Sequence, residues 1–240
     1  MEKLKFEVIL KNSVDLPGVR INRDNFLRAE LKKYCSPDTI EKAVATSPSN
    51  AGISHELIDT IAKNCISYET NKVSAISFAA GVPGGIAMIG TVPADVVQYF
   101  GHILRILQKL VYLYDWEDLF DSDSGMDDET VNLLTLFIGV MFGVSSAAGV
   151  LTKVAEKAGQ KTYKTIMSKA LTKGTLYPII KKIASQIGVK MTKEVFAKSV
   201  SKVVPLIGGV ASGGLTYATY KPMANRLRKY LSNLNKKREV

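Results

Sequence analysis

Asp95, Gln98, His102, Arg105 and Lys109 follow one another at intervals of three, four, three and four residues. That spacing puts all five on one face of an α-helix. A carboxylate, an amide, an imidazole and two cations on one stripe form a candidate polar site on the Asp95–Lys109 face. His102 is the residue there whose ordinary pKa suits a general base near neutral pH. No nucleophile is fixed beside it, so no catalytic residue is assigned. The other histidine, His55, adjoins Ser54 and reads as a surface residue at a helix start. HExxH, GxSxG, Walker A and CxxC patterns do not occur, which leaves the commonest metal, acyl-transfer, nucleotide and redox signatures unrepresented. Cys35 and Cys65 read as ordinary thiols. The run Asp121-Ser-Asp123-Ser-Gly125 suggests a calcium loop, but its glycine falls one position early and Asn132 stands where the bidentate glutamate belongs. No metal and no cofactor are expected.

The chain has 240 residues, 46% of them hydrophobic, and a net charge of +10. Its charge is strongly segregated. Residues 113–130 carry eight acids (Asp115, Glu117, Asp118, Asp121, Asp123, Asp127, Asp128 and Glu129) and no base. Residues 152–204 carry twelve lysines, no arginine and only Glu156 and Glu194. Ammonium groups act as point charges, whereas bidentate phosphate or guanine readout favours arginine. The lysine-rich stretch therefore suits a diffuse anionic surface better than specific nucleic acid, with a merely solubilising face as the plain alternative. The first residues scatter charges through any would-be signal core, so a cytoplasmic protein is expected.

Most of the chain carries helical periodicity. Residues 3–11 instead alternate apolar and charged side chains, which is strand-like and reads as a short extended arm over 1–23 preceding a helical domain over 24–240, with a short helix or a strand that finds a partner molecule as alternatives. Asp24 opens a helix with Phe26, Leu27, Leu31 and Tyr34. Ser36-Pro37 ends it and starts the next, and Ser54 caps another with Ile58, Ile61 and Cys65 on one face. Residues 95–114 form an amphipathic helix whose apolar side is Val96, Val97, Phe100, Ile103, Leu104, Leu107, Leu110 and Val111. Asp127, Asp128 and Glu129 suit the positive N-terminus of the helix that follows.

Three stretches lack charge: Val73–Ala94, Thr130–Thr152 and Val203–Tyr220, of 22, 23 and 18 residues. Each reaches membrane-spanning length. Each also holds two glycines four apart, Gly81/Gly85, Gly139/Gly143 and Gly209/Gly213, the spacing that lets helix backbones approach closely. Prolines and glycines interrupt the first stretch, and three crossings would leave the basic tail outside. Core helices of a globular domain, or a two-helix hairpin of the first two stretches associated with the membrane, fit better.

The segment Phe78-Ala79-Ala80-Gly81-Val82-Pro83-Gly84-Gly85-Ile86-Ala87-Met88 leads through Thr91-Val92-Pro93-Ala94-Asp95 into a helix ending at Tyr112-Leu113-Tyr114-Asp115-Trp116. Together with Val204-Pro205-Leu206-Ile207-Gly208-Gly209-Val210 and the basic helix after it, this resembles the EcsC family of bacterial proteins from about residue 24 onward. Asp115 stands where many members have a glycine. The resemblance implies a helical, cytoplasmic or membrane-associated protein and brings no catalytic residues.

The resulting expectation is an all-α, single-domain, non-enzymatic protein at the cytoplasmic face of a membrane. Lys153, Lys157, Lys161, Lys164, Lys181 and Lys182 would bind anionic lipid. The glycine-zipper helices would pack as a core or insert, and a membrane protein or a second copy is a further partner. A membrane-disrupting effector and an enzyme on the Asp95–Lys109 face are the alternatives.

Overall fold

The computed structural model describes residues 2–80, 88–89, 92–120, 126–157, 176–185 and 205–237, with side-chain surroundings for 6–73, 96–120, 126–156, 176–185 and 219–237. The fold is all-α. In chain order come α1 (Glu2–Val14), α2 (Arg23–Leu31), α3 (Pro37–Ala45), α4 (His55–Ala80), a two-residue antiparallel pair β1 (Met88–Ile89) and β2 (Val92–Pro93), α5 (Ala94–Leu113), α6 (Asp128–Met141) and α7 (Ser145–Lys157). Helical residues 176–185 (α8) and the long α9 (Pro205–Lys236) complete it.

Local chemistry sets the boundaries. Asn22, rather than Asp24, caps α2, accepting from the Asn25 N–H. Ser36 caps α3 with Pro37 at the first position, where its missing N–H costs nothing. Ser54 Oγ accepts from the Leu57 N–H at the start of α4, and Asp127 does the same for Thr130 at the start of α6.

Helix α5 is the hub. Phe100, Ile103, Leu104, Ile106, Leu107, Leu110, Val111, Tyr112 and Leu113 are wholly buried. Helix α1 lies against it through an edge-to-face pair of Phe6 and Phe100, centroids 5.8 Å apart, and a hydrogen bond from Ser13 Oγ to the Val97 carbonyl at 2.9 Å. Helix α2 meets it through Phe26 and Tyr112. Helices α4 and α9 close its polar side.

The sequence predicts an extended arm over residues 1–23, and the structure corrects this. Residues 2–14 are helical, with Phe6, Leu10 and Val14 in the common core. The strand-like alternation is overridden because Phe6, Leu10 and Val14 also recur at steps of four, so a helix buries all three against α5.

Two of the charge-free stretches are not single long helices, whereas Val203–Tyr220 lies from Pro205 onward within α9. Thr130–Thr152 is divided between α6 and α7 by a turn at Gly143. Val73–Ala94 runs from α4 into the β1–β2 pair and the first residue of α5. Among the described residues no helix is long and apolar enough to cross a membrane. Beyond the acidic first turn of Asp128 and Glu129, helix α6 lacks charge because it is buried on every side: all its residues from Thr130 to Met141 except Asn132 are buried.

The paired glycines act differently from the helix-face reading. Gly139 does bring helices together, since a Cβ there would lie 2.6 Å from the Ala147 Cβ and 3.0 Å from Ile179 Cγ2. Gly143 instead ends α6. Its φ of +77° allows the Val144 N–H to reach the Gly139 carbonyl at 2.8 Å and the Gly143 N–H the Val140 carbonyl at 2.9 Å. Gly143→Ala is expected to cost about 1–2 kcal/mol through the left-handed backbone, read as a lower urea midpoint with unchanged denaturant slope. Gly209 and Gly213 lie within α9, whereas Gly81 and Gly85 lie outside the described residues.

Candidate functional site

The α5 stripe singled out by its spacing does become a site, and its geometry turns inward. Glu69 of α4 is completely buried and stands between two cations of α5. Lys109 Nζ lies 2.8 Å from its Oε1, while Arg105 Nη2 and Nε donate to the two carboxylate oxygens at 3.2 and 3.4 Å. The side chain of Lys109 is 9% exposed and that of Arg105 20%. Lys109 Nζ also sits 5.6 Å from the centre of the Phe26 ring and 5.5 Å from that of Tyr68. Arg105 reaches on to the Gly18 carbonyl, tying the α1–α2 loop to the same triad.

Electrostatics follow from this enclosure. Burial alone would raise the Glu69 carboxyl, but the hydrogen bonds and charges of Lys109 and Arg105 outweigh it and hold the group below the usual carboxylate range. Glu69 is therefore a locked anion and a poor proton acceptor. His102 is half-buried, and burial pushes its imidazole below the ordinary value; Glu69 raises it in part, while Arg105 and Lys72 lower it further. Its carbonyl accepts from Tyr220 Oη of α9 at 3.0 Å. Gln98 is exposed and Asp95 occupies the first turn of α5. The stripe thus separates into an exposed Gln98 and a buried ion triad. Among the described residues no group of His, Cys, Asp or Glu is placed to hold a metal ion.

Sequence reasoning missed Glu69 and Gln108. Glu69 occupies the position four beyond Cys65 on the apolar stripe of α4, and a carboxylate at a core register was the available signal. Gln108 is buried on α5; it accepts from the Ile21 N–H at 2.8 Å and donates to the carbonyls of Val19 at 2.9 Å and Leu104 at 2.8 Å. Both tie α5 to neighbours that only the fold supplies.

A second polar cluster surrounds the end of α5, where the Tyr112–Trp116 motif lies. Asp115 has a φ of +66°, the conformation glycine favours and aspartate tolerates. Its carboxylate accepts from the Ser49 N–H at 3.0 Å and from Asn235 Nδ2 at 2.8 Å. Tyr112 donates to Asp118 at 2.8 Å, and Tyr114 to Asp59 at 2.9 Å. Asp59 also pairs with Arg228 and, at 2.9 Å, with Lys63. His55 Nε2 lies 3.1 Å from the Ser232 carbonyl oxygen, so His55 helps anchor α9 and is half-buried rather than a surface residue. This motif is a helix terminus knotted to α4 and α9. Cys35 and Cys65 are free thiols, and burial pushes Cys65 up to about 12.

The basic candidates stand elsewhere. Lys153 on α7 and Lys181 and Lys182 on α8 are exposed. Their helices share one anchor, because Ala147 of α7 and Ile179 of α8 both abut Gly139 of α6. Tyr230 of α9 also meets α7, donating to the Ala148 carbonyl and lying 3.1 Å from Thr152 Oγ1. Exposed Arg226 and Lys229 adjoin that contact on α9. Lys157 ends α7; Lys161, Lys164 and the acidic run Asp121–Gly125 lie outside the described residues.

Fold and site together define an all-α protein with a buried carboxylate–dication triad and with exposed bases on α7, α8 and α9. Compared with family models, with curated proteins and with solved structures, the chain matches none.

Proposed function

We propose that this chain is a non-enzymatic helical protein that binds an anionic membrane surface from the cytoplasmic side, through electrostatic contact and without a spanning helix. The observation that carries the reading is the inversion of the charge-free run: α6 is enclosed by α7, α8 and α9, while the lysines around it face outward. Lys153, Lys181, Lys182, Arg226 and Lys229 are exposed, and each base near an anionic leaflet contributes about 1 kcal/mol. The resemblance to the EcsC family points the same way.

Co-sedimentation with vesicles tests it. The protein is expected to sediment with phosphatidylcholine vesicles containing phosphatidylglycerol, to stay in solution with phosphatidylcholine alone, and to be released by salt as the Debye length shrinks. Lys181→Ala combined with Lys182→Ala should weaken partitioning about thirtyfold, with an unchanged thermal midpoint. Retention on duplex DNA stronger than on these vesicles, or binding that survives carbonate extraction, sinks the proposal.

A further inference from the structure

We propose that α8 is the element that touches the bilayer and that Tyr177 is its interfacial anchor; this rests on the membrane-surface reading. The division of α8 is sharp. Leu176, Ile179, Ile180 and Ile183 are buried, at most 3% exposed, and dock the helix through Ile179 at Gly139. Tyr177, Pro178, Lys181 and Lys182 face solvent. Tyr177 is 48% exposed; Lys181, four residues on, shares its side of the helix, and Lys182 lies further round the exposed arc.

Three tyrosines of the described chain are strongly exposed, and two have visible employment within the fold. Tyr34 Oη accepts from Asn64 Nδ2 at 3.2 Å, and Tyr68 lies over the Lys109 ammonium. Among the described residues, Tyr177 makes no such hydrogen bond or ring contact. Its ring and the Pro178 ring add apolar surface beside two flexible cations. An aromatic ring with a polar tip partitions to the headgroup level of a bilayer, and lysines at four and five residues extend their ammonium groups to the same phosphates. Charge complementarity commits the occupant to an anionic lipid surface. The docked apolar face of α8 holds the helix flat, so the contact is one of shallow insertion by a single ring.

The test uses Tyr177→Trp in the full chain. Trp116, 1% exposed, is the only other tryptophan and serves as a buried reference. With vesicles containing phosphatidylglycerol, the introduced indole should shift to shorter emission wavelength and be quenched by lipids brominated near the headgroup end of the acyl chain. Tyr177→Ala should lower partitioning several-fold without moving the thermal midpoint. If the protein sediments with vesicles while the indole emission stays unshifted and Tyr177→Ala binds normally, the anchor is elsewhere and this inference fails although the membrane reading stands. If neither wild type nor variant sediments, both fail together.

Discussion

Glu69→Gln is expected to lower the unfolding free energy by about 3 kcal/mol, near the lower end of what removing one partner from a buried ion pair costs. The variant leaves Lys109 and Arg105 facing each other without the carboxylate that neutralises them. The loss stays near the lower end because the Arg105 side chain keeps a fifth of its surface in water and a bond to the Gly18 carbonyl. Replacing all three residues by methionine should recover most of the loss, since a well-packed apolar triad removes the desolvation penalty along with the attraction. Urea midpoints of wild type, Glu69→Gln and the triple variant at pH 7 provide the check; a single variant as stable as wild type would show that the triad contributes nothing.

The same triad predicts how stability responds to acid. Glu69 has a folded pKa below its ordinary value of 4.5. Its contribution is therefore complete above about pH 4.5 and is lost as pH falls through the folded value, because the unfolded chain binds the proton first. The gap in urea midpoint between wild type and Glu69→Gln should narrow as pH falls below 4.5 and persist at pH 6–8. His102 adds a loss of its own: its folded pKa lies below 6.5, so the unfolded state takes up that proton first and stability declines as pH drops below 6.5.

Gly139→Ala is expected to cost up to about 3 kcal/mol by overpacking. The new methyl would meet Ala147 Cβ at 2.6 Å, closer than carbon atoms approach, and Ile179 Cγ2 at a tight 3.0 Å, so α7 must back away from α6 and Ile179 must give slightly. A second change, Ala147→Gly, removes the nearer atom and should restore part of the loss, which a double-mutant cycle would register as coupling. Gly149→Ala is the internal contrast. Nothing lies within 4 Å of a Cβ at Gly149, and alanine in a helix interior gains about 0.5–1 kcal/mol over glycine. Equal effects at the two glycines would mean that Gly139 does not mediate close packing.

Much of the fold was legible. Ser36 and Ser54 cap the helices they were expected to cap, Asp127 stands at the helix start its charge suited, and the apolar face of α5 is buried as its spacing requires. These features depend on neighbours three or four residues away, which periodicity reports directly. The α5 polar stripe was also legible as a stripe. Its meaning was not, because Glu69 and Tyr220 come from helices 36 and 118 residues distant along the chain. The N-terminal segment is ambiguous in sequence because its side chains satisfy a period of two and a period of four equally, and only the presence of α5 decides between them.

Sequence alone therefore determined that this chain is helical, where α3, α4 and α6 begin, that its charges are segregated, and that the glycine at 139 permits close approach. Tertiary structure decided which surfaces face water. A charge-free helix and a membrane-seeking helix have the same composition, and α6 is a core helix because α7, α8 and α9 cover it. A polar stripe and an active site also look alike in sequence, and the α5 stripe holds an ion triad because a buried carboxylate from α4 pairs with both of its cations.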